Sequence, residues 1–219
     1  MLTTVIMTDK IQKFWDKQAG RYDSAEVQFD NVYKDVIATT RKYLKIDHNV
    51  LDFGCATGTK TIRLAGGIKH IHGLDISAEM INEAIKKRDK ANIHNISFSR
   101  GTIYNEEFEN ASFDAIIAFG IIHLLEDKEE AIRRIYGLLK PGGYFISTTA
   151  CFKDKMEFRN KIEFKIFLIS KRLGIMPLHL NIFSTNDVKE LMGKHNFQII
   201  EAETIFSGMT SVFIVARKL

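Results

Sequence analysis

The chain has 219 residues, 45% hydrophobic and 26% charged, with a net charge of +4. That is enough apolar material for one buried core, which excludes a disordered chain, and so small a charge excess is no nucleic-acid footprint. Two cysteines far apart, Cys55 and Cys151, exclude a disulfide framework and a zinc knuckle. No apolar run approaches the roughly 18–20 residues of a membrane span, and Met1 to Thr8 lack a secretory leader pattern; the cysteine usage makes a reducing cytoplasm the expectation.

From residue 50 the chain alternates short β-rich runs with helical patterns. Val50 to Phe53 reads as a buried strand ending at Gly54, and a helix through Thr61, Ile62, Leu64 and Ala65 stops at Gly66-Gly67. Ile71 to Ile76 is a second strand. Ser77 is placed to cap the next helix, whose stripe is Met80, Ile81, Ala84 and Ile85. Lys86, Lys87 and Arg88 lie at the end of that helix, where its dipole favours cations. Ile96 to Ser99 alternates as a third strand, and Phe113 to Phe119 is apolar enough for a strand covered on both faces. Asp127 and Glu130 have the spacing of a capping box, followed by a buried face of Ala131, Ile132, Ile135, Leu138 and Leu139. Pro141 ends that helix, and Tyr144 to Thr149 is a fifth strand. Ser184 or Thr185 opens a last helix. Gln198 to Phe206 and Thr210 to Arg217 form an antiparallel hairpin across Ser207-Gly208-Met209.

This alternation predicts an α/β fold: a doubly wound, mostly parallel, seven-stranded sheet of Rossmann-like type with an antiparallel C-terminal hairpin. Residues 1–219 read as a single domain with a helical lead-in over 8–45 and a lid-like insertion over 151–183. Ligands of such sheets bind at the carboxyl ends of the strands, near the point where strand order reverses. There the run Asp52-Phe53-Gly54-Cys55-Ala56-Thr57-Gly58 opens a helix whose free N–H groups suit an anion or a close-lying ligand. Asp75, at the end of the second strand, is spaced to accept hydrogen bonds from ribose hydroxyls. A nucleoside-containing ligand is therefore expected. A Walker phosphate loop fails on the spacing of Gly58 and Lys60. Tyr136-x-x-x-Lys140 has the spacing of a dehydrogenase pair, but Lys140 directly precedes Pro141 and reads as a helix-end cation. Asp52 would repel a pyrophosphate and suits a ligand bearing an ammonium group.

The runs Val50-Leu-Asp-Phe-Gly-Cys-Ala-Thr-Gly-Thr, Gly73-Leu-Asp75-Ile-Ser, Ser112-Phe-Asp114-Ala-Ile-Ile and Leu138-Leu-Lys-Pro-Gly-Gly together resemble the class I S-adenosylmethionine-dependent methyltransferases. The small-molecule, quinone-type branch is the most similar. Phe14-Trp-Asp-Lys-Gln-Ala-Gly-Arg-Tyr22-Asp23 resembles the helical lead-in of that branch. The resemblance covers about Phe14 to Ala150 and the terminal hairpin. It implies S-adenosylmethionine as cofactor, S-adenosylhomocysteine as product and no metal. Gly54, Cys55, Ala56 and Gly58 would line the methionine part, with Asp52 near its amino group. Asp75 would hold the ribose, with Ile76 and Met80 beside the adenine and Gly101, Thr102 and Ile103 at its rim. Phe119, Gly120 and Ile121 would lie under the sulfonium, and Tyr22 would help close the cavity. Ala56 stands where the family often has glycine, and Thr102 where it often has an aspartate that accepts from the adenine amino group; a hydroxyl also accepts.

Methyl transfer needs mainly alignment and exclusion of water. His123, just after the fourth strand, is the candidate base, or else an orienting group or cavity wall. Glu126 and Asp127 read as cap residues. His70 and His72 share a strand face but lack a third metal ligand. Cys55, in the glycine loop, reads as a reactive thiol or, more simply, as small-residue packing. Between Cys151 and Leu173 seven basic residues face three acidic ones, so this segment carries the whole net charge. Phe158, Ile162, Ile166, Ile169 and Leu173 fall on one helical arc, with Phe164, Phe167 and Leu168 on another side. The segment reads as a packed insertion, as a substrate lid with two apolar sides on the domain, or as a peripheral membrane contact, which is not favoured. The expected partner is a small-molecule methyl acceptor, apolar or acidic, and the chain is a monomer or a homodimer. The rival function is a non-catalytic S-adenosylmethionine-binding domain used for regulation or assembly.

Overall fold

A computed structural model describes residues 2–219, with side chains from residue 9 onward. The side chains of residues 1–8, where no leader pattern was read, lie outside the described residues. The chain begins with helices α1 (Leu2–Glu26) and α2 (Asp30–Arg41), joined by a 3₁₀ turn at Val27–Phe29. It continues as β1 (Asn49–Phe53), α3 (Thr59–Leu64), β2 (His70–Asp75), α4 (Ala78–Lys90), β3 (Ile96–Arg100) and β4 (Phe113–Phe119). A 3₁₀ turn at Ile122–Leu124 leads to α5 (Lys128–Leu138), β5 (Leu139–Ala150), α6 (Phe158–Arg172), α7 (Thr185–Lys194), β6 (Phe197–Phe206) and β7 (Thr210–Lys218).

The seven strands form one sheet in the order β3-β2-β1-β4-β5-β7-β6. β1 to β5 pair in parallel, and β7 pairs antiparallel with both β5 and β6. The expected fold is therefore present. Strand order reverses between β1 and β4, so the loops after these two strands flank the switch point. Period-two alternation splits the core between the two faces. Leu51, Ile116, Phe145 and Ile214 pack with α5 and α7 on one side; Val50, Ile117, Ile146 and Val215 pack with α2 and α3 on the other.

Local chemistry explains the element ends. Ser77 caps α4 by accepting from the Met80 N–H at 3.1 Å. Asp127 caps α5 through the Glu130 N–H at 2.9 Å, while the reciprocal capping box stands at Ser184 and Asp187 on α7. β5 starts at Leu139, five residues before the alternation predicts. Proline holds the residue before it out of the helix, and Leu139 can already pair with Phe113 before a register shift brings Tyr144 opposite Ala115. Tyr136 and Lys140 thus sit on different elements. Lys140 pairs with Asp114 at 2.8 Å and the Tyr136 hydroxyl donates to the Leu219 carbonyl, so they form no catalytic pair.

The insertion holds a helix, as its length suggested, but α6 has no buried residue. The arc expected to pack on the domain faces solvent instead: Phe158 is 79% exposed, Ile166 and Ile169 each 60%, and Leu173 67%. Only the opposite side, with Phe164 and Phe167, is partly covered.

Candidate functional site

The glycine loop hangs on the end of β2. The N–H groups of Gly54 and Cys55 both donate to the Leu74 carbonyl, at 2.8 and 3.1 Å. Asp75 accepts from the Ala56 N–H at 3.0 Å on one oxygen and from the Ser77 N–H at 2.9 Å on the other. Burial raises the Asp75 carboxyl above the ordinary carboxylate value, against the pull of those N–H groups. Each oxygen keeps a second acceptor direction.

Gly58 has φ 73° at the start of α3, and a Cβ there would meet Phe98 at 2.7 Å and Ala84 at 2.8 Å. It is a packing requirement, away from the cavity. Ala56 has φ 48°. That left-handed conformation costs an L-residue roughly 1–2 kcal/mol, a cost that glycine would not bear. Ala56→Gly removes the strain but frees the unfolded chain by about 0.4–1 kcal/mol. A net gain of about 0–1.6 kcal/mol is expected in urea denaturation; a loss would show that the methyl packs to advantage.

Asp52 is only 3% exposed and accepts from the Thr61 hydroxyl at 2.6 Å. Burial pushes its carboxyl up to about 6. Cys55 is buried too, and burial raises its thiol well above the ordinary value, so it is no reactive nucleophile.

A cavity at the switch point is lined by Tyr22, Gly54, Ala56, Asp75, Ile76, Met80, Gly101, Thr102, Ile103, Phe119, Gly120 and Ile121. Of the predicted cofactor residues, Asp52, Cys55 and Gly58 do not line it; Cys55 borders a neighbouring cavity with Lys60 and Tyr33. The residues present fit a nucleoside with an attached amino acid. A carboxylate with spare acceptor directions stands beside apolar walls, whereas the loop N–H groups expected to be free are not: those of Gly54, Cys55, Ala56 and Gly58 donate within the protein.

The same cavity contains residues the sequence did not single out: Ile11, Trp15, Tyr104, Leu124, Leu125 and Leu178. Ile11, Trp15 and Tyr22 lie on one stripe of α1, a spacing of 4 and 7 that could have marked them. Beside that stripe, Asp16 accepts from the Ser77 hydroxyl at 2.6 Å, and Asp23 accepts from the Thr57 hydroxyl at 2.6 Å and pairs with Lys87. Glu26 pairs with Lys60. Burial works to raise the Asp23 carboxyl, but Lys87, Thr57 and Thr59 hold it below the ordinary value. Three carboxylates thus clamp α1 over the glycine loop.

A second cavity shares the walls Tyr22, Phe119 and Gly120 with the first. It continues past Glu26, Tyr33, His123, Thr148, Thr149, Asn160, Met209 and Ser211. Tyr22 and Tyr33 remain phenols, because burial raises both hydroxyls well above the ordinary value. His123 is half-buried at the cavity wall with its Nδ1 turned inward, and burial lowers its imidazole to about 4. Its Nδ1 and the Thr149 hydroxyl are both buried and find no partner among the described residues. The His123 carbonyl accepts from the Asn181 N–H at 2.7 Å, so the tail of the insertion straps the loop after β4. His70 and His72 bond to Ser97 and Ser99 at 2.7–2.9 Å. Asp127 is a cap, whereas Glu126 borders the first cavity.

A model of a methyltransferase domain matches residues 44–197. An uncharacterized methyltransferase of Geobacillus kaustophilus is 30% identical over 161 residues, which cover 68% of this chain and 71% of that protein. The demethylmenaquinone methyltransferase of Listeria welshimeri is 30% identical over 143 residues, 62% of this chain; the match spans 60% of that relative's length. A solved S-adenosylmethionine-dependent methyltransferase of Thermotoga maritima superposes with a TM-score of 0.70 at 20% identity, covering 95% of this chain and 100% of that one. This last likeness is one of fold.

Proposed function

This chain belongs to the methyltransferase family, enzymes that take their methyl group from S-adenosylmethionine, and from that premise we propose that it methylates a small-molecule acceptor held in the second cavity. The observation that carries the reading is the shared wall: Tyr22, Phe119 and Gly120 border both cavities, so a ligand in each would meet there. The bound cofactor supplies an electrophilic methyl group on sulfur. Tyr22, Phe119 and Gly120 would set the acceptor's nucleophilic atom against that methyl group.

The protein's contribution is position and exclusion of water. Asp75 would hold the ribose, and Ile76, Met80 and Ile103 the adenine. Asp52 lies behind the loop, where it acts on a cationic amino group through the field rather than by contact. α1 covers both ligands through Trp15 and Tyr22. With its imidazole lowered to about 4, His123 is largely neutral above about pH 5, which makes it a weak base. Its unpartnered Nδ1 supports a hydrogen bond to the acceptor, with Thr149 as second partner. The demethylmenaquinone methyltransferase among the relatives supports a phenolic or quinol acceptor, as do the Tyr33, Phe119 and Met209 walls.

Calorimetry with S-adenosylmethionine and S-adenosylhomocysteine tests the first half, with micromolar-class affinity expected, roughly −8 kcal/mol. Binding of neither sinks the reading; binding without turnover on any phenol, quinol or acid screened favours a regulatory domain. With an acceptor in hand, His123→Ala is expected to lower kcat/KM by roughly 10- to 100-fold. The wild-type rate should show no imidazole ionisation between about pH 5 and 8. A rising limb near 6.5 that the variant lacks would make His123 the base after all.

A further inference from the structure

We propose that α6 is an interfacial helix that docks this protein on an anionic lipid bilayer. Phe158, Ile162, Ile166, Ile169 and Leu173 follow the spacing i, i+4, i+8, i+11, i+15, which puts them on one arc about 80° wide at 100° per residue. All five are exposed, by between 43% and 79%, and Ile175, just beyond the helix, is 72% exposed. A contiguous apolar strip of this kind on a soluble domain marks an interaction surface.

Charge decides the occupant. Lys161, Lys165 and Arg172 flank one edge of the arc and Arg159 the other. Arg159 pairs with Glu163 at 2.9 Å; Lys161, Lys165, Lys171 and Arg172 form no ion pair among the described residues. A second copy of this helix would bring like charges together. A bilayer with anionic headgroups neutralises them and takes the apolar arc into its acyl boundary. No helix among the described residues is long and apolar enough to cross a membrane, so the contact is a surface one.

The helix is held in place for this. Its start is tied by the Glu157 N–H donating to the Gly208 carbonyl at 2.8 Å. On the inner side the Phe164 ring stacks on Phe152 at 4.9 Å, Phe152 meets His123 edge-on at 5.7 Å, and Asn160 borders the second cavity. The bilayer face and the acceptor cavity therefore lie on two sides of one helix. That a lipophilic acceptor enters from the bilayer rests on the methyl-transfer reading; the docking itself does not.

The test is co-sedimentation of the full chain with vesicles of phosphatidylcholine alone and of phosphatidylcholine mixed with phosphatidylglycerol. Binding is expected to the mixed vesicles, at least tenfold weaker to the neutral ones, and weaker as salt rises. The double variant Ile166→Asp, Ile169→Asp and the triple variant Lys161→Glu, Lys165→Glu, Arg172→Glu should each lose at least tenfold, with melting temperature and calorimetric cofactor affinity unchanged. Those last two readouts separate a failure here from a failure of the functional reading. No binding to mixed vesicles at low ionic strength overturns the proposal, as do variants that bind like the wild type. A dimer that Ile166→Asp dissociates, in a protein that ignores vesicles, also overturns it.

Discussion

Asp75→Ala should weaken S-adenosylmethionine binding by roughly 30- to 150-fold, about 2–3 kcal/mol, the largest loss expected from one substitution in the cavity. The side chain serves two layers at once. Its two oxygens take the Ala56 and Ser77 N–H groups, fixing the glycine loop against the start of α4, and their remaining acceptor directions are those a ribose diol would use. Alanine removes both functions and leaves two N–H groups without a partner. Asp75→Asn keeps the shape but turns one oxygen into a donor, so a smaller loss, roughly tenfold, is expected. Titration calorimetry reads both. Equal affinity in wild type and Asp75→Ala would show that the ribose is held elsewhere. A melting temperature measured without cofactor separates the loop effect from the ligand effect.

Asp52→Asn should have the opposite sign for stability. The Asp52 carboxyl is raised from 3.8 to about 6 by burial. An acid with a raised folded value binds more protons folded than unfolded. Its contribution is therefore full below about 4 and is lost as pH rises through 6. The difference is worth about 3 kcal/mol at neutral pH. Asparagine can still accept from the Thr61 hydroxyl without carrying the buried charge, so Asp52→Asn should match the wild type near pH 4 and exceed it by up to about 3 kcal/mol above pH 6. His123 slopes the other way. Burial lowers it to about 4, so its contribution is full above about 6.5 and is lost as pH falls toward 4. In the wild type the two groups nearly offset between pH 4 and 6; the asparagine variant exposes the histidine slope. Urea unfolding across pH measures the difference directly, and a constant offset between the two proteins would contradict it. A carboxylate kept buried at such a cost fits a cationic ligand group nearby, so the stabler variant is also expected to bind cofactor more weakly, though less so than Asp75→Ala.

The clamp on α1 bears on access. Asp16, Asp23 and Glu26 hold the helix to Ser77, to Thr57 and Lys87, and to Lys60. Ser77 and Thr57 are buried and the Lys60 and Glu26 side chains are only 17% and 26% exposed, so salt screens these contacts less than surface pairs and they hold the helix over the cavity.

The sequence alone determined the sheet, the glycine loop and Asp75, because each is written in neighbouring residues. Strand alternation sorts Val50 from Leu51 and Ile116 from Ile117 onto opposite faces, and a tight turn and helix start fall within the residues from Asp52 to Thr59. Only the tertiary structure decided what distant segments do to one another. α1 closes the cavity because carboxylates on residues 16, 23 and 26 meet hydroxyls and lysines some 34 to 64 positions away, a pairing no local pattern contains. Asp52 sits behind the loop rather than in the cavity because Thr61, one turn into α3, draws it inward. His123 reads as a base from its place after β4, yet partial burial at the cavity wall lowers its imidazole and favours the neutral form. Periodicity found both apolar sides of α6, but it could not say which side the domain covers. Helical spacing fixes which residues share a face, and only packing fixes where that face points.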